Sequence, residues 1–395
     1  MKILFITLDP VESSSSAMTC NLGIIDGLVG NGHSVSILSI QQNVNQRSNE
    51  KSWYSNIEVI RLKSSKLYNS IESKKNNNHF KIKIRKFIRG IYKRVSIYNN
   101  TYIAAKKFNP DILKNKTFDI VISASDPKTS HIVLNKLKKS GFKSSRWIQY
   151  WGDPLSIDIS NLIIWPKWFV RLIEYNLIKS ADSIIYVSPF TLIEQQRIFK
   201  SLRQKMKFVP IPYIKSKSSR NDYNIESNSL LITYLGSYYS NIRNIKPLYN
   251  SFNMIDSNIK MIIAGPTDLN LESNNNISIL PTVGADLVNK FEEECNAYIC
   301  LLNKNGTQIP GKIYYYSGTD KPIIVIIDGE LGHKIKNYLE RFNRYIFCEN
   351  NEQSIAEAIK SISKFDKYKP VEFLESNFVA SKIIDVEDNF YQFFN

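Results

Sequence analysis

Hydrophobic positions along the chain gather in short runs, and stretches of helical spacing separate most of them. The first run, KILFIT, leads into a helical pattern over Ala17–Val29 that ends at Gly30-Asn31-Gly32, and the run SVSILSI follows. Further runs stand at IEVIRL, FDIVIS, RWIQYW, DSIIYV and KFVPI. Strand–helix alternation of this kind predicts an α/β unit with a doubly wound parallel sheet, since each parallel strand needs a crossover before the next.

The alternation stops over residues 211–229, where Ser, Asn and Lys dominate, and this segment is expected to be a linker. It restarts at LLITYLG. A helix from Arg243, the runs MIIAG and ISIL, a helix near Asp286–Glu294, the run AYICLL, a short helix opened by Pro310-Gly311-Lys312, the run PIIVII, another helix and YIFCE follow in order. The stretch from Val371 to Asn395 has the pattern of two helices. The expected organisation is therefore a Rossmann-like unit at 1–210, a linker at 211–229, a second Rossmann-like unit at 230–370 and terminal helices at 371–395. Ligands of open α/β sheets bind at strand carboxyl ends, so a cleft between the two units is the expected site.

Composition changes this picture only locally. A hydrophobic share of 43% and an aromatic share of 12% fit a globular chain. The opening apolar run stops at Asp9-Pro10, too soon for a signal-peptide core, and no run approaches the roughly 20 residues of a membrane span. Cys20, Cys295, Cys300 and Cys348 form no pair motif and read as buried residues of a reducing compartment. The histidines at 33, 79, 131 and 333 are dispersed, so no zinc site is visible.

Charge is the larger departure. The net charge is +16, and residues 51–110 hold 15 Lys and Arg against only Glu58 and Glu72, which leaves the rest nearly balanced. Within this region Phe80, Ile84, Phe87, Ile88, Ile91, Val95, Tyr98 and Tyr102 follow helical spacing, surrounded by Lys81, Lys83, Arg85, Lys86, Arg89, Lys93 and Arg94. Two readings stay open: an amphipathic helix lying at an anionic lipid surface, or a core-packed helix with a solvated basic face. Nucleic acid is disfavoured because the basic stretch carries no recognisable reading module.

Gly27-Leu-Val-Gly30-Asn-Gly32 imitates a phosphate-binding glycine loop, but it closes a helix and precedes a strand, the reverse of what phosphate binding needs. A helix C-cap is the better reading. Arg243 and Lys312 each follow a strand and are expected to open a helix. A cation gains nothing from the positive end of a helix dipole, so a bound anion would account for both, and two solvated surface cations are the alternative. Asp153 closes the run RWIQYW and is a further strand-end candidate, although Asp-Pro is also a common turn. His131 is expected one turn into a helix, in a structural role. No DxD, Walker A, HExxH or GxSxG occurs, and no metal site is expected.

The residues Ile309-Pro-Gly-Lys312-Ile-Tyr-Tyr315-Tyr316-Ser-Gly-Thr-Asp-Lys321-Pro322 resemble the PxK-hydrophobic-x-E-Y-x-x-x-x-K-P element of the GT-B "group 1", family-4-like glycosyltransferases, which build bacterial surface polysaccharides. Gly236 with Arg243-Asn244, Trp147–Pro154, Ala181–Ser188 and Asn31-Gly32-His33 fall in the same order as their counterparts, so the likeness covers nearly the whole chain. It implies an acceptor-binding first unit and a nucleotide-sugar-binding second unit facing across a cleft, with terminal helices crossing back to the first. It further implies that Gly236, Ser237, Arg243, Gly311, Lys312, Tyr315 and Tyr316 bind the donor. Arg243 and Lys312 would stabilise the leaving diphosphate in place of a metal, with Asp153 as the candidate opposite them. The family's two glutamates fall at Thr307 and Tyr315, which is where this chain departs from the pattern.

The function so implied is transfer of a sugar, metal-independently and with retention, from a nucleotide-diphosphate sugar to a polysaccharide or lipid-linked acceptor. The donor is a co-substrate and no cofactor is expected. The place implied is the cytoplasm or the inner face of its membrane, with residues 81–94 as the docking face. A catalytically silent binding protein of the same fold, or a nucleotide-sugar epimerase, are the other readings.

Overall fold

The computed structural model describes residues 1–13, 15–41, 56–63, 90, 94–98, 101–160, 163–214, 230–256, 258–362 and 368–385. The chain divides into two compact units, Met1–Pro210 with the stretch from Ser376 onward, and Ile211–Glu375.

The sheet of the first unit contains β1 (Lys2–Ile6), β2 (Ser34–Ile40), β3 (Glu58–Leu62), β4 (Ile120–Ala124), β5 (Arg146–Trp151), β6 (Ser183–Tyr186) and β7 (Met206–Phe208). Its order is β3-β2-β1-β4-β5-β6-β7 and every pairing is parallel. β1, β4 and β6 are buried along nearly their whole length, as expected of strands covered on both faces. β7 stops at Phe208, short of the expected KFVPI, because Pro210 has no N–H to give the ladder. The helices α1 (Ser16–Gly30), α2 (Tyr102–Lys107), α3 (Ser130–Lys139), α4 (Lys167–Ile178) and α5 (Pro189–Ile198) belong to this unit. Ser15 caps α1, its hydroxyl accepting from the Met18 N–H at 3.0 Å.

The second unit repeats the plan with β8 (Leu230–Leu235), β9 (Ile259–Ala264), β10 (Ile277–Leu280), β11 (Ala297–Leu301), β12 (Ile323–Ile327) and β13 (Ile346–Glu349), ordered β10-β9-β8-β11-β12-β13 and all parallel. Its helices are α6 (Lys246–Ser251), α7 (Ala285–Glu294), α8 (Gly311–Tyr316), α9 (Gly332–Glu340) and α10 (Glu352–Ser361). Ile232, Ile263, Ile299, Ile324, Ile355 and Ile359 share its core.

Three further boundaries differ from expectation. Residues 211–214 are part of the second unit and not a linker: Ile211 and Tyr213 are buried, the Tyr213 N–H donates to the Leu374 carbonyl at 3.0 Å, and its ring lies against Gly318. Burial of these apolar side chains outweighs the polar composition that follows; positions 215–229 lie outside the described residues. The helix expected from Arg243 starts at Lys246, with Pro247 in its first turn, so Arg243 sits in the preceding loop. Of the two helices expected from Val371, the first is a single 3₁₀ turn, Glu372–Leu374, in the second unit. The other is α11 (Ser376–Ile384), and it belongs to the first unit.

α11 also redefines the glycines of α1. Only Gly32 has the positive φ, +79°, that a helix end requires. A Cβ on Gly27 would lie 1.9 Å from the Ser376 carbonyl oxygen, and one on Gly30 would lie 2.2 Å from the Asn377 amide oxygen. Gly27 and Gly30 are thus the close-approach face for α11, fastened by Ser376 Oγ to Asp26 at 2.6 Å and Asn31 Nδ2 to the Asn377 carbonyl at 2.8 Å. Lys207 and Arg146 donate to carbonyls at the far end of α11, where cations complement the dipole.

Candidate active site

The strand order of the second unit reverses between β8 and β11, and the loops leaving their carboxyl ends diverge there. After β8 come Gly236 and Ser237. Arg243 folds back over them: a Cβ on Gly236 would stand 3.9 Å from Arg243 Nη1. Arg243 Nη1 donates to the Ser237 carbonyl at 2.6 Å, which also accepts from Tyr234 Oη at 2.9 Å. Arg243 Nε donates to Asn303 Oδ1 at 3.0 Å, just beyond β11, and Asn303 Nδ2 donates onward to the Gln308 carbonyl at 3.2 Å. Nη2 has no hydrogen-bond partner among the described residues, so the half-buried guanidinium is braced on two nitrogens and open on the third.

Gly311 and Lys312 begin α8, as expected. The Lys312 ammonium has a protein partner that the sequence did not predict: it donates to Glu292 Oε1 at 2.6 Å and to Tyr316 Oη at 2.8 Å, and lies 5.1 Å from the centre of the Tyr316 ring. Tyr316 Oη donates to the same carboxylate oxygen at 2.9 Å. Glu292 is on α7, and its backbone carbonyl is held in turn by Tyr298 Oη at 2.9 Å and Lys321 Nζ at 2.8 Å. The lysine therefore does not by itself imply a bound anion, which corrects the inference from its helix-start position. Glu292 Oε2 has no hydrogen-bond partner among the described residues.

The three tyrosines of α8 divide their roles. Tyr314 is fully buried. Tyr316 is also fully buried and stacks on Tyr298 at 3.9 Å. Tyr315 is half-buried, edge-on to Tyr316 at 5.8 Å, and burial followed by the charge of Glu292 pushes its hydroxyl up to about 12. Burial also pushes the Cys300 thiol of β11 up to about 12, while Lys312 and then Arg243 pull it down.

Asp153 belongs to the first unit, just past β5, and this unit has its own polar cluster at its strand ends. Lys128 bridges Asp126 at 3.1 Å and Asp158 at 2.9 Å. Although burial opposes it, the carboxylates of Asp126, Asp158 and Asp153 hold the Lys128 ammonium above its ordinary range. Glu174, fully buried on α4, accepts from the Leu155 and Ser156 N–H groups at 2.9 and 3.0 Å and so fixes the loop after Asp153; burial raises its carboxyl. His131 is in α3, where the sequence placed it. It is buried, stacked on Trp151 at 4.0 Å, and linked through Nδ1 to Ser123 Oγ at 2.7 Å. Burial, then Lys128, holds its imidazole well below the ordinary value.

Glu292, Asn303 and Gln308 are the residues that sequence reasoning missed. A signal for the first existed: Glu292–Glu294 close α7, where acids oppose the helix dipole, and that misplacement asks for a cationic partner. Among the described residues no group of three or more His, Cys, Asp or Glu is placed to hold a metal ion, and no helix is long and apolar enough to cross a membrane.

At the level of sequence, no family model and no curated protein matches the chain. Solved structures do match over nearly its full length. Anabaena Alr3699/HepE, in complex with UDP-glucose, matches at a TM-score of 0.56 and 12% identity, covering 98% of this chain and 96% of that one. The lipopolysaccharide outer core galactosyltransferase WaaB matches at 0.52 and 13%, covering 98% and 99%. A putative UDP-N-acetylglucosamine 2-epimerase from Listeria monocytogenes matches at 0.54 and 11%, covering 97% and 94%. Two parallel-sheet Rossmann-like units in this order make the fold that of the GT-B glycosyltransferase structures.

Proposed function

We propose that the chain is a glycosyltransferase that takes a sugar from a nucleotide-diphosphate donor and passes it to a hydroxyl of a saccharide or lipid-linked acceptor in surface-glycan synthesis. The observation that carries this reading is Arg243, braced by Asn303 and Ser237 at the β8/β11 reversal with one guanidinium nitrogen open. The donor's diphosphate would take that nitrogen, because a guanidinium offers phosphate oxygens charge-assisted hydrogen bonds. The anomeric C–O bond to the diphosphate breaks with its electron pair staying on the phosphate oxygen, a bond forms to the acceptor oxygen, and the acceptor proton passes to the departing diphosphate. Arg243, with Lys312 once it is shared with Glu292, would stabilise the charge that gathers on the departing phosphate without a metal. Gly236, Ser237 and Gly311 offer backbone groups beside them, and Tyr315 faces the donor. Asp153 would serve the acceptor in the first unit. The resemblance implies retention.

Titration calorimetry with UDP-sugars and other nucleotide sugars, on wild type and Arg243→Ala, tests the reading. Measurable donor binding that the substitution weakens supports it, and binding indifferent to Arg243 overturns the site. A second reading is favoured by Lys312 being already matched by Glu292 and by Thr307 and Tyr315 standing at the acid positions: a binding protein without turnover. Donor binding with no nucleotide release on any acceptor selects it, and product from donor alone selects an epimerase.

A further inference from the structure

Residues 236–245 join β8 to α6 without regular structure, yet groups at the ends of neighbouring strands grip them. From beyond β11, the Lys304 N–H donates to the Ile242 carbonyl at 2.8 Å and Lys304 Nζ to the Ser240 carbonyl at 3.1 Å. From beyond β13, Asn350 Nδ2 donates to the Asn244 carbonyl at 3.0 Å and to Asp328 Oδ2 at 2.9 Å. From beyond β9, Thr267 Oγ1 donates to the Tyr238 carbonyl and the Tyr238 N–H to the Pro266 carbonyl, each at 3.1 Å. Gly265 lets these two loops close up: its φ is +154°, and a Cβ there would stand 2.0 Å from the Gly236 carbonyl oxygen.

The shortest of these grips is that of Asp268. One carboxylate oxygen accepts from the Ser240 N–H at 2.7 Å and the other from Ser240 Oγ at 2.6 Å. The Ser240 hydroxyl, then its N–H, holds the Asp268 carboxyl below the ordinary carboxylate range. Asp268 is exposed, so the core does not depend on it. Its charge also has the wrong sign to attract a diphosphate. What the carboxylate supplies is geometry. Ser240 belongs to the turn in which the Arg243 N–H donates to the Tyr239 carbonyl at 2.9 Å, so fixing Ser240 fixes where the guanidinium starts.

We infer that Asp268 is a positioning residue for donor binding: it fixes the turn at Ser240 and thereby holds the Arg243 guanidinium where a diphosphate oxygen meets its open nitrogen. The inference rests on the diphosphate reading of Arg243 proposed above. It adds the residue that keeps the loop preformed, so that binding loses less to ordering it.

Calorimetry of the full chain with UDP, on wild type, Asp268→Ala and Asp268→Asn, is the test. Positioning predicts binding weakened roughly tenfold in Asp268→Ala, because a guanidinium displaced by about 1 Å loses much of a charge-assisted hydrogen bond. An effect of charge alone has the opposite sign, since removing a carboxylate tightens the binding of an anion. Asp268→Asn keeps an acceptor for the Ser240 N–H and should restore most of the affinity. In an Arg243→Ala background Asp268→Ala should change almost nothing, because it acts through that guanidinium. Hydrogen exchange read by mass spectrometry needs no ligand: peptides covering residues 236–245 should exchange faster in Asp268→Ala, with the melting temperature nearly unchanged. Unchanged or tighter UDP binding in Asp268→Ala, equal losses in both backgrounds, or unchanged exchange over 236–245 overturns the inference. Weakened binding in Arg243→Ala beside full binding in Asp268→Ala sinks the inference alone, whereas full binding in Arg243→Ala sinks the proposed site with it.

Discussion

Replacing Glu292 by Gln asks whether the Lys312 ammonium reaches a diphosphate. The carboxylate and ammonium lie 2.6 Å apart, with side chains 13% and 34% exposed. A phosphate oxygen that takes Lys312 from its open side would stand about 5 Å from the carboxylate, where two like charges repel by about 3 kcal/mol at an effective dielectric constant near 20. Solvent and salt around a partly exposed lysine reduce this to about 1.4 kcal/mol. Glutamine keeps the shape and still accepts from Tyr316 Oη, so the change is chiefly one of charge. Calorimetry with UDP should therefore show binding about tenfold tighter in Glu292→Gln than in wild type, with the gain shrinking as salt rises. In a Lys312→Ala background the same substitution should gain almost nothing, since the cycle isolates the pair. The folded state should lose about 1 kcal/mol, or roughly 1 °C in melting temperature for a chain of this size. Unchanged or weaker UDP binding in Glu292→Gln would refute the placement of Lys312 on the diphosphate.

Arg243→Ala should weaken UDP binding by roughly tenfold to a hundredfold, the loss of about 1.5–3 kcal/mol of charge-assisted hydrogen bonding, and Arg243→Lys should not restore it, because an ammonium cannot keep Asn303, Ser237 and a phosphate in one plane. Calorimetry reads both. Gly27→Ala drives a methyl into the Ser376 backbone and should cost about 1–3 kcal/mol, lowering the melting temperature by roughly 1–4 °C in a thermal scan. His131 sets a pH dependence of stability. Its folded value lies below its unfolded one, so its contribution is complete above about 6.5 and falls away below that by about 1.4 kcal/mol per pH unit. Denaturant titrations from pH 7 to 5 should show this loss in wild type and a shallower one in His131→Asn.

The strands were legible because a parallel strand covered on both faces must be a run of apolar residues, as AYICL and IIVII are, and such runs do not depend on distant contacts. What the sequence hid depends on partners far along the chain. Gly27 and Gly30 looked like a helix end, and only the arrival of Ser376 and Asn377 shows why a side chain is excluded there. Arg243 looked like a helix start because nothing local separates it from Pro247, yet the guanidinium is fixed by Asn303, sixty positions later. Trp165 and Trp168 read as ordinary apolar positions of an α/β unit, and only the burial of the opposite face of α4 leaves them on the surface.

The α8 motif shows how charge is kept while its position moves. A tyrosine stands at 315, where the resembling family carries an acid, so a motif-based reading expects Lys312 to be an unmatched cation. In the folded unit a carboxylate still faces that lysine, delivered by α7 and held by Tyr298 and Lys321 through its own backbone. Tyr316 donates to the same oxygen, and the charge of Glu292 also acts on the Tyr315 hydroxyl. The residues at 292 and 315 therefore form one electrostatic unit with Lys312, and a substitution at 315 bears on donor binding through Glu292. Introducing an acid by Tyr315→Glu would set a second carboxylate against the first across one ammonium, so it should weaken UDP binding in the wild-type background and recover it when combined with Glu292→Gln. Equal effects of Tyr315→Glu in both backgrounds would show that the two positions act separately.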